Sequence, residues 1–222
     1  MISLIEQLIN YEPLYIIAVI AAYILALLFS LALHEWAHAF VAYKQGDETP
    51  RAFGRLTLNP LAHIDIMGMV CLLFFGFGWA KPVPVNPLKF KSYRKGMFLV
   101  SIAGIVMNII LVVIGSFFYA LLYVKLGEPQ TILEIFGVNF FSMLTFISFT
   151  LAVFNLIPIH PLDGFKILQC CVKGQNKVLR FLEQYGNYIM LAFIISPIFS
   201  IILSFLEGSV LVPLLNLWVA LL

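Results

Sequence analysis

Charge is scarce in this sequence. Lys, Arg, Asp and Glu make up 11% of its 222 residues, where a water-soluble domain carries about 25%. That shortage excludes an ordinary soluble globule, because too little polar surface is available to coat one. Cysteine is nearly absent as well: Cys71, Cys170 and Cys171 are the only three. Two of them are adjacent and all three fall in or beside apolar segments, so a disulfide framework is excluded and they read as small core residues. The net charge is only +2 and gives no sign of a nucleic-acid partner. The first twelve residues, Met1 to Glu12, contain no Lys or Arg. The start therefore lacks the charged region of a signal peptide, and the apolar run after Pro13 is read as mature structure.

What is abundant is apolar surface. The chain is 62% hydrophobic, with a mean hydropathy of +1.02. Its apolar residues come in runs of about 20 or more, the length a helix needs to cross roughly 30 Å of hydrocarbon. The fold class that follows is an all-α polytopic membrane protein with about four to five transmembrane helices. No internal repeat, linker or second domain is visible. Residues 1–222 are expected to form one membrane-embedded domain with its core over about 14–170.

The first span is expected over about Leu14 to Tyr43, some 30 residues or roughly 45 Å of helix. Leu61 to Trp79 is apolar but broken by Gly68, Gly76 and Gly78. Glycine and β-prone neighbours predict a re-entrant, partly β element there, buried against protein where irregular backbone is tolerated. An exposed β segment around Met67 to Trp79 would offer an edge to an unwound substrate strand. Two further spans are expected over about Gly96 to Val124 and Thr131 to Ile157, and a fourth over about Asn187 to Leu206. The tail, Val210 to Leu222, is too short to span comfortably.

Basic residues cluster in three loops. Lys44, Arg51 and Arg55 lie in the first, Lys81, Lys89, Lys91, Arg94 and Lys95 in the second, and Lys166, Lys173, Lys177 and Arg180 in the third. Only Lys125 is placed elsewhere. Basic loops stay cytoplasmic. If Leu61–Trp79 does not span, all three loops share that side and the N-terminus lies outside.

Chemistry concentrates at His34-Glu35-Trp36-Ala37-His38. This is H-E-x-x-H. Side chains four apart on a helix share a face, so two imidazoles can hold one Zn²⁺ and the carboxylate can act on a water. The motif sits inside an apolar span, where ionisable side chains are costly. The bland reading is a pair of interhelical hydrogen-bonding histidines with Glu35 paired to one of them. A two-histidine site needs a third ligand. Asp163 is the only acid between Glu134 and Glu183. It follows a span ending on the same side as His38, in a stretch that Pro158 and Pro161 keep extended. Taken alone, Asp163 reads equally well as a helix cap.

Together these segments resemble the site-2 proteases, intramembrane zinc metalloproteases. His34, Glu35 and His38 match that family's first motif, and Asn155, Pro158, Asp163 and Gly164 its second. Gly104 and Asn108 resemble its intervening small-residue helix. Thr57 to Asp65 and Gly78 to Asn86 look like the compact prokaryotic members without PDZ or CBS domains. The resemblance covers about residues 30–170. It implies that His34, His38 and Asp163 ligate one Zn²⁺ per chain and that Glu35 is the general base. It further implies a transmembrane protein as substrate and a multi-pass position in a prokaryotic cell membrane, with the active site towards the cytoplasm. Asn155 and Asn108 are candidates to bind an oxyanion or the substrate backbone, and Asn155 reads equally as a helix-end hydrogen-bond partner.

The chain departs from the family pattern at Phe165 and Lys166, where Gly-Arg or Gly-Gly often follows the Asp-Gly pair. It departs again at His160, best read as an interfacial histidine. His63 and Asp65 read as residues that shape a loop rather than a second metal site. Two other functions fit the same residues: a non-catalytic helix-binding scaffold, and a metal transporter. The first gives no reason for Glu35. The second normally shows repeated halves, which are not visible in the sequence.

Overall fold

The computed structural model describes residues 13–75, 78–172 and 176–222. Its frame is three long helices: α1 (Pro13–Lys44), α4 (Tyr93–Leu126) and α5 (Ile132–Leu156). All three are long and apolar enough to cross a membrane, close to where the sequence placed them. Between α1 and α4 lie the one-turn helix α2 (Thr49–Ala52) and the ten-residue helix α3 (Ile66–Phe75).

The long helices pack through small residues. Ala18, Ala22, Ala26, Ala32, Ala39 and Ala42 of α1 are all buried. Alanine favours helix, and it lets a neighbouring backbone come close, which is how helices associate where lipid removes the usual hydrophobic drive. Helix α4 buries small and polar residues too, Gly96, Ser101, Gly104, Asn108, Gly115 and Ser116; of these Ser101, Gly104, Asn108 and Gly115 recur at intervals of three, four and seven and so share a face, with Gly104 against α1 and Gly115 against α5. A buried hydroxyl pair, Ser30 Oγ to Ser148 Oγ at 2.9 Å, ties α1 to α5. Such bonds average about 0.6 kcal/mol in a membrane. Larger side chains fill the outer layer, with Leu27 of α1 against Leu144 and Ile147 of α5. The start of α5 is fixed by a reciprocal cap. Thr131 accepts from the Glu134 amide, and Glu134 accepts from that of Thr131.

Among the described residues the expected β element is not present. Residues 66–75 form α3, and among the described residues the only β pairing is an isolated antiparallel bridge between Ile64 and Ala80. Gly76 lies outside the described residues. The glycine signal was misleading for a physical reason. A Cβ on Gly68 would stand 2.1 Å from the Trp79 carbonyl oxygen, so this glycine serves close approach, not strand geometry. Asp65 accepts from the Gly68 amide at 2.8 Å and caps the helix instead. Lys81 N–H donates to the His63 carbonyl at 2.8 Å, so the chain leaves and re-enters at one place. Ten residues of helix reach roughly 15 Å, half the hydrocarbon thickness. The first two basic loops therefore lie at the same end of the bundle.

The fourth span also differs. Pro197 cannot continue a helix, and it pushes the residue before it into extended backbone; Ser196 has ψ 156°. The chain therefore breaks into α7 (Lys177–Ile195) and a new helical run, Ile198–Leu221, that is long enough to span. This run comprises α8 (Ile198–Leu206), a π turn (Glu207–Leu211) and α9 (Val212–Leu221). Pro213 has no N–H for the ladder, and the wider turn just before it absorbs the defect. The tail is thus the second half of a membrane-length helix. Leu211 packs against Val112 and Phe149, and Trp218 donates to Ser116 Oγ at 3.0 Å. A further helix, α6 (Asp163–Cys171), follows α5 directly after the loop at Pro158.

Candidate functional site

His34 and His38 lie one turn apart near the C-terminal end of α1, both buried, with ring centroids 4.6 Å apart. Asp163 is the first residue of α6 and is 4% exposed. It faces the histidines: Oδ2 stands 2.9 Å from His38 Nε2 and 3.3 Å from His34 Nε2. The two Nε2 atoms are 3.0 Å apart. Proline ends α5 and turns the chain back, so the acid arrives at the depth of α1's last turns.

The far sides of both rings are held. His38 Nδ1 donates to the Val100 carbonyl oxygen at 2.6 Å. A carbonyl can only accept, so in the neutral ring Nε2 carries the lone pair. His34 Nδ1 lies 3.1 Å from the Asn108 side-chain amide, which is fully buried. Asn108 Oδ1 has no hydrogen-bond partner. Turning that amide over sets the orphaned oxygen against His34 Nδ1–H and gives His34 the same outward-facing proton as His38. Asn108 thus touches a histidine, and it is not among the residues that line the adjoining cavity.

Two lone pairs and a carboxylate oxygen then converge on one point. Three electron-rich atoms this close need a cation among them, and two imidazoles with one carboxylate suit zinc. Outer-shell acceptors of this kind are what orient metal-binding histidines. The donors lie within 4.8 Å of one another, and among the described residues this is the one such group. Gly104 leaves the space. A Cβ there would meet His34 Cε1 and His38 Nε2, both at 2.5 Å.

A cavity of about 480 Å³ opens on this group, lined among others by Glu35, Trp79, Val83, Ser101, Asn155 and Lys166. Glu35 is half-buried and accepts from the Val83 amide at 3.1 Å through Oε2. Val83 belongs to the extended Pro82-Val83-Pro84 segment that follows the Ile64–Ala80 bridge. Asn155 lines the cavity and donates to the Leu151 carbonyl at 3.0 Å, the helix-end bond that was one of its two expected uses. Lys166 Nζ stands 3.0 Å from Asp163 Oδ1. In the metal-free protein burial opposes charge on Asp163, but a protonated His38, hydrogen bonds from His34 and His38 and the Lys166 ammonium outweigh it and hold the carboxyl well below the ordinary carboxylate range.

The structure therefore brings His34, His38 and Asp163 together, with Glu35 and Asn155 on the same cavity. His63 and Asp65 take no part. His63 Nε2 bonds the Thr57 carbonyl at 2.9 Å, and Asp65 caps α3. His160 packs edge-on against Phe165. Sequence reasoning missed the Val100 carbonyl, which no sequence signal marks, and the use of Lys166, which it noted as a basic loop residue and as a departure from a family pattern.

Residues 22–197 match the model of peptidase family M50. A Bacillus subtilis protein named "Putative zinc metalloprotease YwhC" is 41% identical over 181 residues, covering 81% of this chain and 83% of the relative. Proteins with the same designation, called Rip2, are 30% identical in Mycolicibacterium smegmatis and in Mycobacterium tuberculosis H37Rv; each match covers 84% of this chain and 71% of the relative. No solved structure matches the chain significantly.

Proposed function

The chain belongs to peptidase family M50 and is a membrane zinc metalloprotease, and on that premise we propose where and how it cuts. The substrate is a membrane protein, hydrolysed at a peptide bond in or near its transmembrane segment, close to the cytoplasmic face. The observation that carries this reading is the meeting of His34, His38 and Asp163 at one end of a membrane-length bundle, beside a cavity that also holds Glu35. The described basic residues of the three loops lie towards that same end, and basic loops stay cytoplasmic, which supports a cytoplasmic-facing site.

His34 Nε2, His38 Nε2 and Asp163 Oδ2 would hold the ion. When bound, zinc supplies an acidified water and polarises the scissile carbonyl. Val100 and Asn108 keep the two imidazoles turned inward. Glu35 takes the proton from the attacking water and delivers it to the departing amine, general acid–base work of a kind that contributes about 10²–10⁴-fold. Its Oε2 already accepts one N–H, from Val83, which aims the carboxylate and leaves Oε1 for the water. Asn155 keeps one amide hydrogen beyond its bond to Leu151, and that hydrogen is available to a substrate carbonyl.

The experiment is cleavage of a panel of tagged transmembrane peptides by purified protein in detergent, with bound zinc counted. Wild type is expected to cut and to stop when a chelator is added. A zinc-replete wild type that cuts nothing in a broad panel would turn the assignment towards a helix-binding scaffold. Zinc flux in proteoliposomes would turn it towards transport.

A further inference from the structure

Asp163 presents its two oxygens to different partners. Oδ2 faces the histidines at 2.9 and 3.3 Å, whereas Oδ1 is taken by Lys166 Nζ at 3.0 Å. Both residues belong to α6, three positions apart, so the first turn of one helix sets the pair. The Asp163 side chain is 5% exposed and that of Lys166 45%. The carboxylate is thus almost removed from water while the ammonium keeps one side wet on the cavity wall. We propose that Lys166 is a positioning residue, which holds Asp163 as a one-oxygen ligand and so keeps a coordination position free for water.

The physical argument is a competition for one oxygen. A carboxylate with both oxygens free can grip a metal through the pair, and a catalytic zinc site must keep a position open. A charge-assisted bond to the ammonium ties up Oδ1 and leaves Oδ2 alone turned inward. The same cation balances a buried negative charge when no metal is present, so the site is kept assembled between loadings. Among the described residues, Lys166 is the one side chain bonded to Asp163 that is not itself a candidate ligand. This inference rests on the protease reading for the use of the site, though its test does not.

The test uses the full chain, stripped of metal and reloaded with zinc or with cobalt(II). Lys166→Met and Lys166→Gln are compared with wild type and with Lys166→Arg. The neutral variants are expected to bind zinc about 10- to 100-fold more weakly, the usual cost of losing an outer partner. Their cobalt spectra should change from the intense visible bands of a four-coordinate ion to the weaker ones of a higher coordination number. Lys166→Arg should keep the wild-type spectrum. Thermal midpoints of the metal-free proteins separate misfolding from a change at the site. Neutral variants that hold zinc as tightly as wild type, with its cobalt spectrum, would overturn the proposal. Failure of the protease reading has a different signature, a zinc-loaded wild type that does not cut, and the cobalt comparison still decides the role of Lys166 in that event.

Discussion

Gly104 faces His38 so closely that a Cβ there would stand 2.5 Å from Nε2. The helix carrying the glycine supplies no ligand, yet it sets the room in which the ligands meet. Gly104→Ala is expected to expel the metal with all three donors still in the sequence. The purified variant should carry far less zinc than wild type and lose about 1–3 kcal/mol of stability, the usual penalty for overpacking. Metal counting with a thermal melt checks both, and a fully loaded, active Gly104→Ala would refute the stated geometry.

Asn108 acts on His34 through an acceptor rather than through its bulk. Asn108→Leu is expected to weaken zinc binding by about 10- to 100-fold. Asn108→Asp keeps an oxygen for the His34 Nδ1–H and should bind close to wild type. Chelator competition ranks the three proteins. Equal weakening in Leu and Asp variants would show that the buried amide, not its oxygen, is what matters.

Glu35 should separate chemistry from metal binding. Glu35→Gln is expected to lower cleavage by about 10²–10⁴-fold with full zinc content, because the carboxylate is not one of the converging donors. Glutamine can still accept the Val83 N–H, so the loop contact survives. A variant that lost its zinc along with its activity would place Glu35 in the ligand set instead.

Acid sensitivity is expected at Asp47, outside the membrane-spanning helices. Its buried carboxylate accepts from the Thr49 amide at 3.0 Å and the Asn86 amide at 2.6 Å, joining the end of α1 to the loop before α4. Burial works against its charge, but those hydrogen bonds and nearby Lys89 outweigh it and hold the carboxyl below its ordinary value. A depressed folded value means stability that is complete well above the unfolded value of about 3.9 and is lost as pH falls through the folded one. Asp47→Asn should therefore melt below wild type at neutral pH, by an amount on the order of 1–2 kcal/mol, and the gap should close below about pH 4. A gap that stays constant down to pH 3 would contradict this.

The metal centre was legible in sequence because its information is local. His34 and His38 share a helix face by spacing alone, and a lone acid after a proline stop leaves few rivals to Asp163. The three long helices were legible from length and apolarity. The errors came where one residue type serves two purposes. Gly68 reads as a break in a helix, whereas it is a point of contact with the Trp79 backbone. The fourth span reads as ending near Leu206 with a short tail after it, yet a π turn over Glu207–Leu211 carries the helix on to Leu221. Lys166 reads as one more basic residue in a loop, and only the fold shows its ammonium on Asp163.

The buried alanines of α1 have a consequence for how this protein tolerates mutation. A water-soluble core is harmed mainly by truncation, because its large side chains leave holes when cut back. Here the contact surface at Ala22, Ala26, Ala39 and Ala42 is 0% exposed and has almost nothing left to remove. As far as side-chain volume goes, damage at these positions comes from enlargement. A saturation scan of α1 should therefore show a polarity opposite to that of a soluble domain: glycine and serine accepted, leucine and phenylalanine rejected, with the intolerant positions tracing the seam between helices rather than the largest residues.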